Sequence, residues 1–213
     1  MQLPSKKRIL LCLWTLPLAG VLAILSLLLR RYVVLPGEDL AEWAQTVVSS
    51  RFILAQYLYI VAYVIAFFGF WALYMVLMQR RVERLAFWGF MGTILGTGLP
   101  LTTLGLVGYA SPALGRLYLQ GDTHLPQVIT NIAMGSSMVM GLPGAFFYVG
   151  GCILLGVAVW KSGASAKWSG AIFALHGLLV SFGFGSSLLL TLSWICLIVS
   201  GFGFIQGVQK ETA

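Results

Sequence analysis

Charged side chains are missing from five long stretches of this chain: Ile9 to Leu29, Phe52 to Gln79, Leu85 to Gly115, Thr123 to Trp160, and Trp168 to Gln209. Uncharged apolar runs of this length fit the interior of a bilayer, where a helix satisfies its own backbone hydrogen bonds. The run from Thr123 to Trp160 constrains the fold most. At about 1.5 Å per residue it would make a helix nearly twice as tall as the roughly 30 Å hydrocarbon layer, so it must bend or divide. Gly135-Ser136-Ser137 and Gly141-Leu142-Pro143-Gly144 are the candidate breaks, because Pro lacks a backbone donor and Gly tolerates non-helical angles. The reading is an outer-surface helix over about 125–137, a kink set by Pro143, and a span over about 139–160. The last run divides in the same way at Gly183-Phe184-Gly185-Ser186-Ser187.

The fold class expected is therefore all-α: one polytopic membrane domain over 1–213. Its six transmembrane helices lie at about 9–29, 52–78, 85–109, 139–160, 168–184 and 188–208. Composition agrees, with 59% hydrophobic and 9% charged residues against the roughly one-quarter charged content of soluble domains. The formal charge of +7 does not point to nucleic acid, since the cations sort by side of the membrane. With the N-terminus inside, Lys6, Lys7, Arg8, Arg80, Arg81, Arg84, Lys161, Lys167 and Lys210 are cytoplasmic, and Arg30, Arg31, Arg51 and Arg116 are outside. This is the direction the positive-inside rule requires, and it places both termini on the cytoplasmic side; the membrane expected is the bacterial inner membrane. Glu38, Asp39, Glu42 and Asp122 fall outside. The basic start followed by an apolar run also fits a signal peptide, but the run is long and lacks a clear small-x-small site, so it is read as an uncleaved first span.

Amphipathic helices are expected on the outer surface. Over 38–50, Leu40, Trp43, Ala44, Val47 and Val48 recur at helical spacing behind Glu38-Asp39. Over 112–120, Ser111 reads as a cap, Pro112 as a first-turn residue and Gly121 as a stop. With 125–137 these would form a roof over the outer face. Span one has few small residues and is placed at the periphery. Span two carries an aromatic stripe, Tyr59, Tyr63, Phe67, Phe70 and Tyr74, read as packing on Gly89, Gly92 and Gly96 of span three. Gly150, Gly151 and Gly156 in span four, and small residues four apart in spans five (Gly177, Ser181, Gly185) and six (Cys196 and Ser200, Gly203 and Gly207), mark spans three to six as a tight core. Thr93, Thr97, Thr102 and Thr103 surround Pro100, where their hydroxyls can bond carbonyls of the preceding turn.

The stretch Gly150-Gly151-Cys152-Ile153-Leu154-Leu155-Gly156-Val157-Ala158-Val159-Trp160-Lys161-Ser162-Gly163, with Lys167-Trp168 opening the next span, resembles the second half of an uncharacterised bacterial family of six-span membrane proteins. The resemblance covers the C-terminal third. It implies the six-span topology and carries no activity.

No Asp, Glu, Lys or Arg lies inside a predicted span, which counts against ion-coupled transport, pumping and voltage sensing. His176 is the one titratable nitrogen within a span. Bis-histidine haem needs a second His at similar depth, whereas His124 belongs to the outer loop, so His176 is read as a neutral residue bonded to a neighbouring helix. His124 with Asp122 supplies too few ligands for a metal. Cys12, Cys152 and Cys196 form no Cys-x-x-Cys pair, and the serines of Gly135-Ser136-Ser137 and Gly185-Ser186-Ser187 have no identifiable base. Phosphate-cradling and metalloprotease motifs are absent. No catalytic, cofactor or metal residue is assigned.

The leading expectation is a non-enzymatic accessory, assembly or interaction subunit of a membrane complex. Its partners are the lipid bilayer and a membrane protein or a second copy of itself, not nucleic acid. The alternative is binding or transport of a lipid, quinone or pigment beneath the outer roof, in a cavity lined by Tyr59, Tyr63, Thr97, Thr102, Pro143 and His176. An intramembrane enzyme is the third class. An enclosed polar cavity would favour the ligand reading, and a solid core with an exposed face of small residues the subunit reading.

Overall fold

The computed structural model describes residues 5–30, 39–122, 125, 128, 131, 135–163, 167–183 and 186–210, with the side chains of 136–138 excepted. Among these residues every regular element is helical: α1 Lys6–Leu13, α2 Thr15–Leu29, α3 Leu40–Val48, α4 Ser50–Leu77, α5 Glu83–Leu119, α6 Ser136–Lys161, α7 Lys167–Phe182 and α8 Ser187–Lys210. Five helical segments are long and apolar enough to cross a membrane: Lys6–Leu29, Ser50–Leu77, Glu83–Leu119, Val139–Lys161 and Ser187–Lys210. The fold is that of an all-helical, multi-pass membrane protein. The expected sixth span corresponds to α7, whose 16 residues reach only about 24 Å.

Local chemistry sets the helix ends. Asp39 caps α3, its carboxylate accepting from the backbone N–H groups of Ala41 at 2.9 Å and Glu42 at 3.0 Å. Ser49 caps α4 by accepting from the Phe52 N–H at 3.2 Å. Gly121, at φ 95°, follows the end of α5, and Gly163, at φ 73°, follows α6; both adopt the left-handed geometry that L side chains avoid. Pro17 is the third residue of α2, where its missing N–H would have been directed to the turn that separates α1 from α2.

The helices close into a ring in which α2 packs on α4, α4 on α5, α5 on α6, α6 on α7, α7 on α8 and α8 back on α2. The centre is filled by Phe70, Tyr148, Phe173, Trp194, Leu197 and Phe204, all buried. The termini of the helices give the ring one strongly basic end, carrying Lys6, Lys7, Arg8, Arg80, Arg81, Arg84, Lys161, Lys167 and Lys210.

The glycine face of α5 meets α6 rather than the aromatic stripe of α4: a Cβ on Gly92 would lie 2.8 Å from the Gly151 Cα, and one on Gly89 2.8 Å from the Leu155 backbone N. The stripe itself divides. Tyr59, Tyr63 and Phe70 turn into the ring, whereas Phe67 and Tyr74 touch Phe90 of α5. Span one is not peripheral, because Leu13, Leu16, Ala19 and Ala23 are fully buried and Gly201 of α8 packs on Pro17.

The separate surface helix at 112–120 is also corrected. The chain continues through Pro100 and Pro112 as the single helix α5, 37 residues long, which at about 55 Å extends well past the hydrocarbon layer. Its last third is held by α3, because Gly115 lets Val47 and the Ala44 carbonyl approach, and Trp43, Ala44, Val47, Phe52 and Leu125 form a second small core there. A break at Ser111 would forfeit this packing. The predicted kink at Pro143 lies within α6, which runs unbroken through it. The surface helix expected at 125–137 falls largely outside the described residues.

Candidate functional site

The ring brings together one polar cluster in its apolar interior. His176 of α7 is fully buried, with its Nδ1 2.9 Å from the Ser193 carbonyl oxygen and its Nε2 2.9 Å from the Tyr148 hydroxyl. A carbonyl only accepts, so Nδ1 carries the proton and donates to it. The neutral ring then accepts at Nε2, and Tyr148 donates. Ser193 Oγ lies 2.9 Å from Nδ1 and 3.5 Å from the His176 carbonyl oxygen, so the hydroxyl shares the first proton and donates its own to the second. Both imidazole nitrogens are therefore hydrogen-bonded within the protein, Nδ1 to Ser193 and Nε2 to Tyr148.

Aromatic contacts extend the cluster toward the end of the ring opposite the basic one. His176 lies 5.3 Å from Trp194, which packs edge-on against Tyr63 at 5.4 Å and Tyr59 at 5.7 Å. Above Tyr59 is Arg30, its guanidinium carbon 4.8 Å from the ring centre. One Nη of Arg30 donates to the Gln56 side-chain oxygen, and Gln56 Nε2 donates to the Leu104 carbonyl at 2.9 Å. Burial draws the Arg30 pKa below its ordinary value, although an arginine stays charged under these conditions. Two buried side-chain nitrogens among the described residues have no hydrogen-bond partner, Arg30 Nε and Trp194 Nε1. They lie at the two ends of the line through Tyr59.

Of the six residues expected to line a ligand cavity, Tyr59, Tyr63 and His176 meet in this cluster through Trp194. Thr97 is buried but donates its hydroxyl within α5, to the Thr93 carbonyl at 2.6 Å. Thr102 donates to the Leu99 carbonyl from an exposed position, and Pro143 is exposed as well. A pocket at the basic end is lined by Leu13, Leu73, Leu77, Val159 and Phe204 among others, and none of the six lines it. Cys152 is buried beside Tyr148 and Gly177, and Cys12, Cys152 and Cys196 are free thiols. Among the described residues no three His, Cys, Asp or Glu side chains group as metal ligands. His124 lies outside the described residues.

Sequence reasoning singled out Gln56, with the nearby tyrosine hydroxyls, as facing a polar cavity or anchoring the headgroup region, but missed its partner Arg30. Arg30 ends a hydrophobic run and so reads as an interfacial anchor, whereas its side chain turns back onto α4. The available signal was Gln56, a carboxamide near the start of an apolar span that needs a polar partner. No protein-family model, curated protein or solved structure matches this chain. The class established by the fold is an all-helical multi-pass membrane protein.

Proposed function

We propose that this protein is a non-enzymatic accessory or assembly subunit of a membrane complex, docking a partner transmembrane helix on the outward face of α5. The observation that carries the reading is that face. Only 22% of the apolar window of α5 is buried within the protein, against 39% to 44% in the other four long helices. Leu95, Gly98, Thr102, Gly105 and Tyr109 recur along it at steps of three and four, and a Cβ on Gly98 or Gly105 would meet nothing within 4 Å. Small residues in mid-membrane let a second helix approach closely, while Thr102 and Tyr109 supply polar contacts. The inward-facing polar groups, by contrast, are largely bonded to one another.

The topology belongs to the same proposal. α7 packs between α6 and α8, which supports a short sixth span and both termini on one side of the membrane. The concentration of cations at that side supports a cytoplasmic assignment, in a bacterial inner membrane. The resemblance of the C-terminal third to a six-span family is in keeping with this. The test is photocrosslinking in native membranes from a reactive amino acid at Thr102, compared with one at Leu18 on the opposite part of the ring. A discrete protein adduct from Thr102 alone is expected, and lipid adducts from both positions would reject the reading.

The second reading, a lipophilic ligand held near Tyr59, Tyr63 and His176, is favoured by the buried Trp194 Nε1 in that cluster, which faces Tyr59 without completing a well-aligned hydrogen bond. A ligand carbonyl accepting from this donor would protect it from hydrogen exchange, and Tyr63→Phe would leave that protection in place.

A further inference from the structure

We infer that the outer rim between α2 and α4 binds an anionic phospholipid, with Arg30 as the counter-ion of its phosphate head. This site rests on α2 and α4 rather than on the glycines of α5, and it adjoins the α5 face where Tyr57 meets Tyr109 edge-on, with ring centres 6.1 Å apart. Arg30 is held from two sides, by the Gln56 side-chain oxygen and the face of Tyr59, so its guanidinium is oriented before any ligand arrives. Both holders are neutral. Among the described residues no carboxylate is paired with Arg30, and the nearest capping acid in sequence, Asp39, is engaged by the Ala41 and Glu42 backbone N–H groups. A half-buried cation with no carboxylate beside it among the described residues is costly in a low-dielectric setting.

Arg51 adds a second cation to the same rim, its guanidinium 3.4 Å from the Leu28 carbonyl oxygen. A phosphate bridging the two would use the fork geometry that distinguishes Arg from Lys. Below the cations, Leu25 and Leu28 of α2 and Leu54, Tyr57 and Val61 of α4 are exposed, giving an apolar strip along which an acyl chain can lie. Anion above and apolar strip below specify an amphiphile rather than a soluble anion.

The experiment is native mass spectrometry of the full chain in dodecyl maltoside, titrated separately with phosphatidylglycerol, phosphatidylcholine of the same chains, and inorganic phosphate. Phosphatidylglycerol should be retained at about tenfold lower concentration than phosphatidylcholine, a preference that Arg30→Gln removes and Arg51→Gln reduces. Millimolar inorganic phosphate should not displace it. Equal retention of the two lipids by the unaltered protein, or a preference that survives Arg30→Gln, overturns the assignment. Displacement by inorganic phosphate would show a soluble-anion site and overturn it also. If Arg30→Gln fails to fold, Gln56→Glu sets a carboxylate beside the guanidinium, and a persisting lipid preference in that variant overturns the proposal equally.

Discussion

Adjacent glycines in α6 should respond oppositely to the same methyl group. A Cβ on Gly151 would lie 2.7 Å from the Gly92 carbonyl carbon and 2.8 Å from the Gly89 carbonyl oxygen, and it would also overlap the Thr93 backbone N. Every one of these neighbours is helix backbone, which cannot rotate aside as a side chain can. Carbon contacts relax only near 3.5–4.0 Å, so Gly151→Ala must separate α5 from α6 by about 1 Å, at a typical overpacking cost of about 1–3 kcal/mol. Gly150 is the internal control, because a methyl group there would meet nothing within 4 Å. Both substitutions gain about 1 kcal/mol of helix propensity, which cancels in the comparison. The Gly151→Ala protein should therefore be about 2 kcal/mol less stable than Gly150→Ala, roughly thirtyfold in the unfolding equilibrium. Reversible unfolding in mixed dodecyl maltoside and SDS micelles, followed by tryptophan fluorescence, reads this directly. Coincident transitions for the two variants would refute the backbone-to-backbone account of the α5–α6 interface.

Replacing His176 with Ala removes the acceptor of the Tyr148 hydroxyl and the donor to the Ser193 carbonyl, and leaves a cavity beside Trp194. A loss of about 3 kcal/mol is expected in the same assay, with partial recovery in His176→Gln, which can both donate and accept. Unchanged stability in His176→Ala would mean that the cluster is not structural. Cysteines placed at Ser5 and at Thr212 should resist an impermeant maleimide in intact cells and react after permeabilisation. Labelling of either from outside would reverse the proposed orientation.

How far the sequence carried the fold depended on whether the deciding interaction was local. Helix ends follow charges, caps and glycines within a few residues, and the observed limits at Lys6, Lys161, Lys167 and Lys210 sit where uncharged runs begin or end. The order of helices around the ring is not local. Periodicity shows that Gly89, Gly92 and Gly96 share a face but does not name its neighbour, and α6 takes that face because Gly151 offers matching bare backbone. The continuation of α5 beyond Pro112 was obscured for a similar reason. Cap and stop residues at 111–121 describe a short helix equally well, and only the docking of α3 on Gly115 and the smaller core around Trp43 favour the long one. Arg30 joins Gln56 across 26 positions of sequence, a separation at which pattern reading has no purchase. His176 was legible as a bonded neutral residue because a lone histidine in an apolar run has few alternatives, although its partners Tyr148 and Ser193 were not.

The subunit proposal is tested most directly by native mass spectrometry of the protein purified under mild conditions from its own membrane, with an absorption spectrum of the same sample. The account predicts a colourless preparation carrying one protein partner, or a second copy of the chain, in fixed ratio, lost on replacing Gly105 with Leu. A bound quinone or pigment with no protein partner would contradict it and move the function to the cluster around Tyr63 and His176.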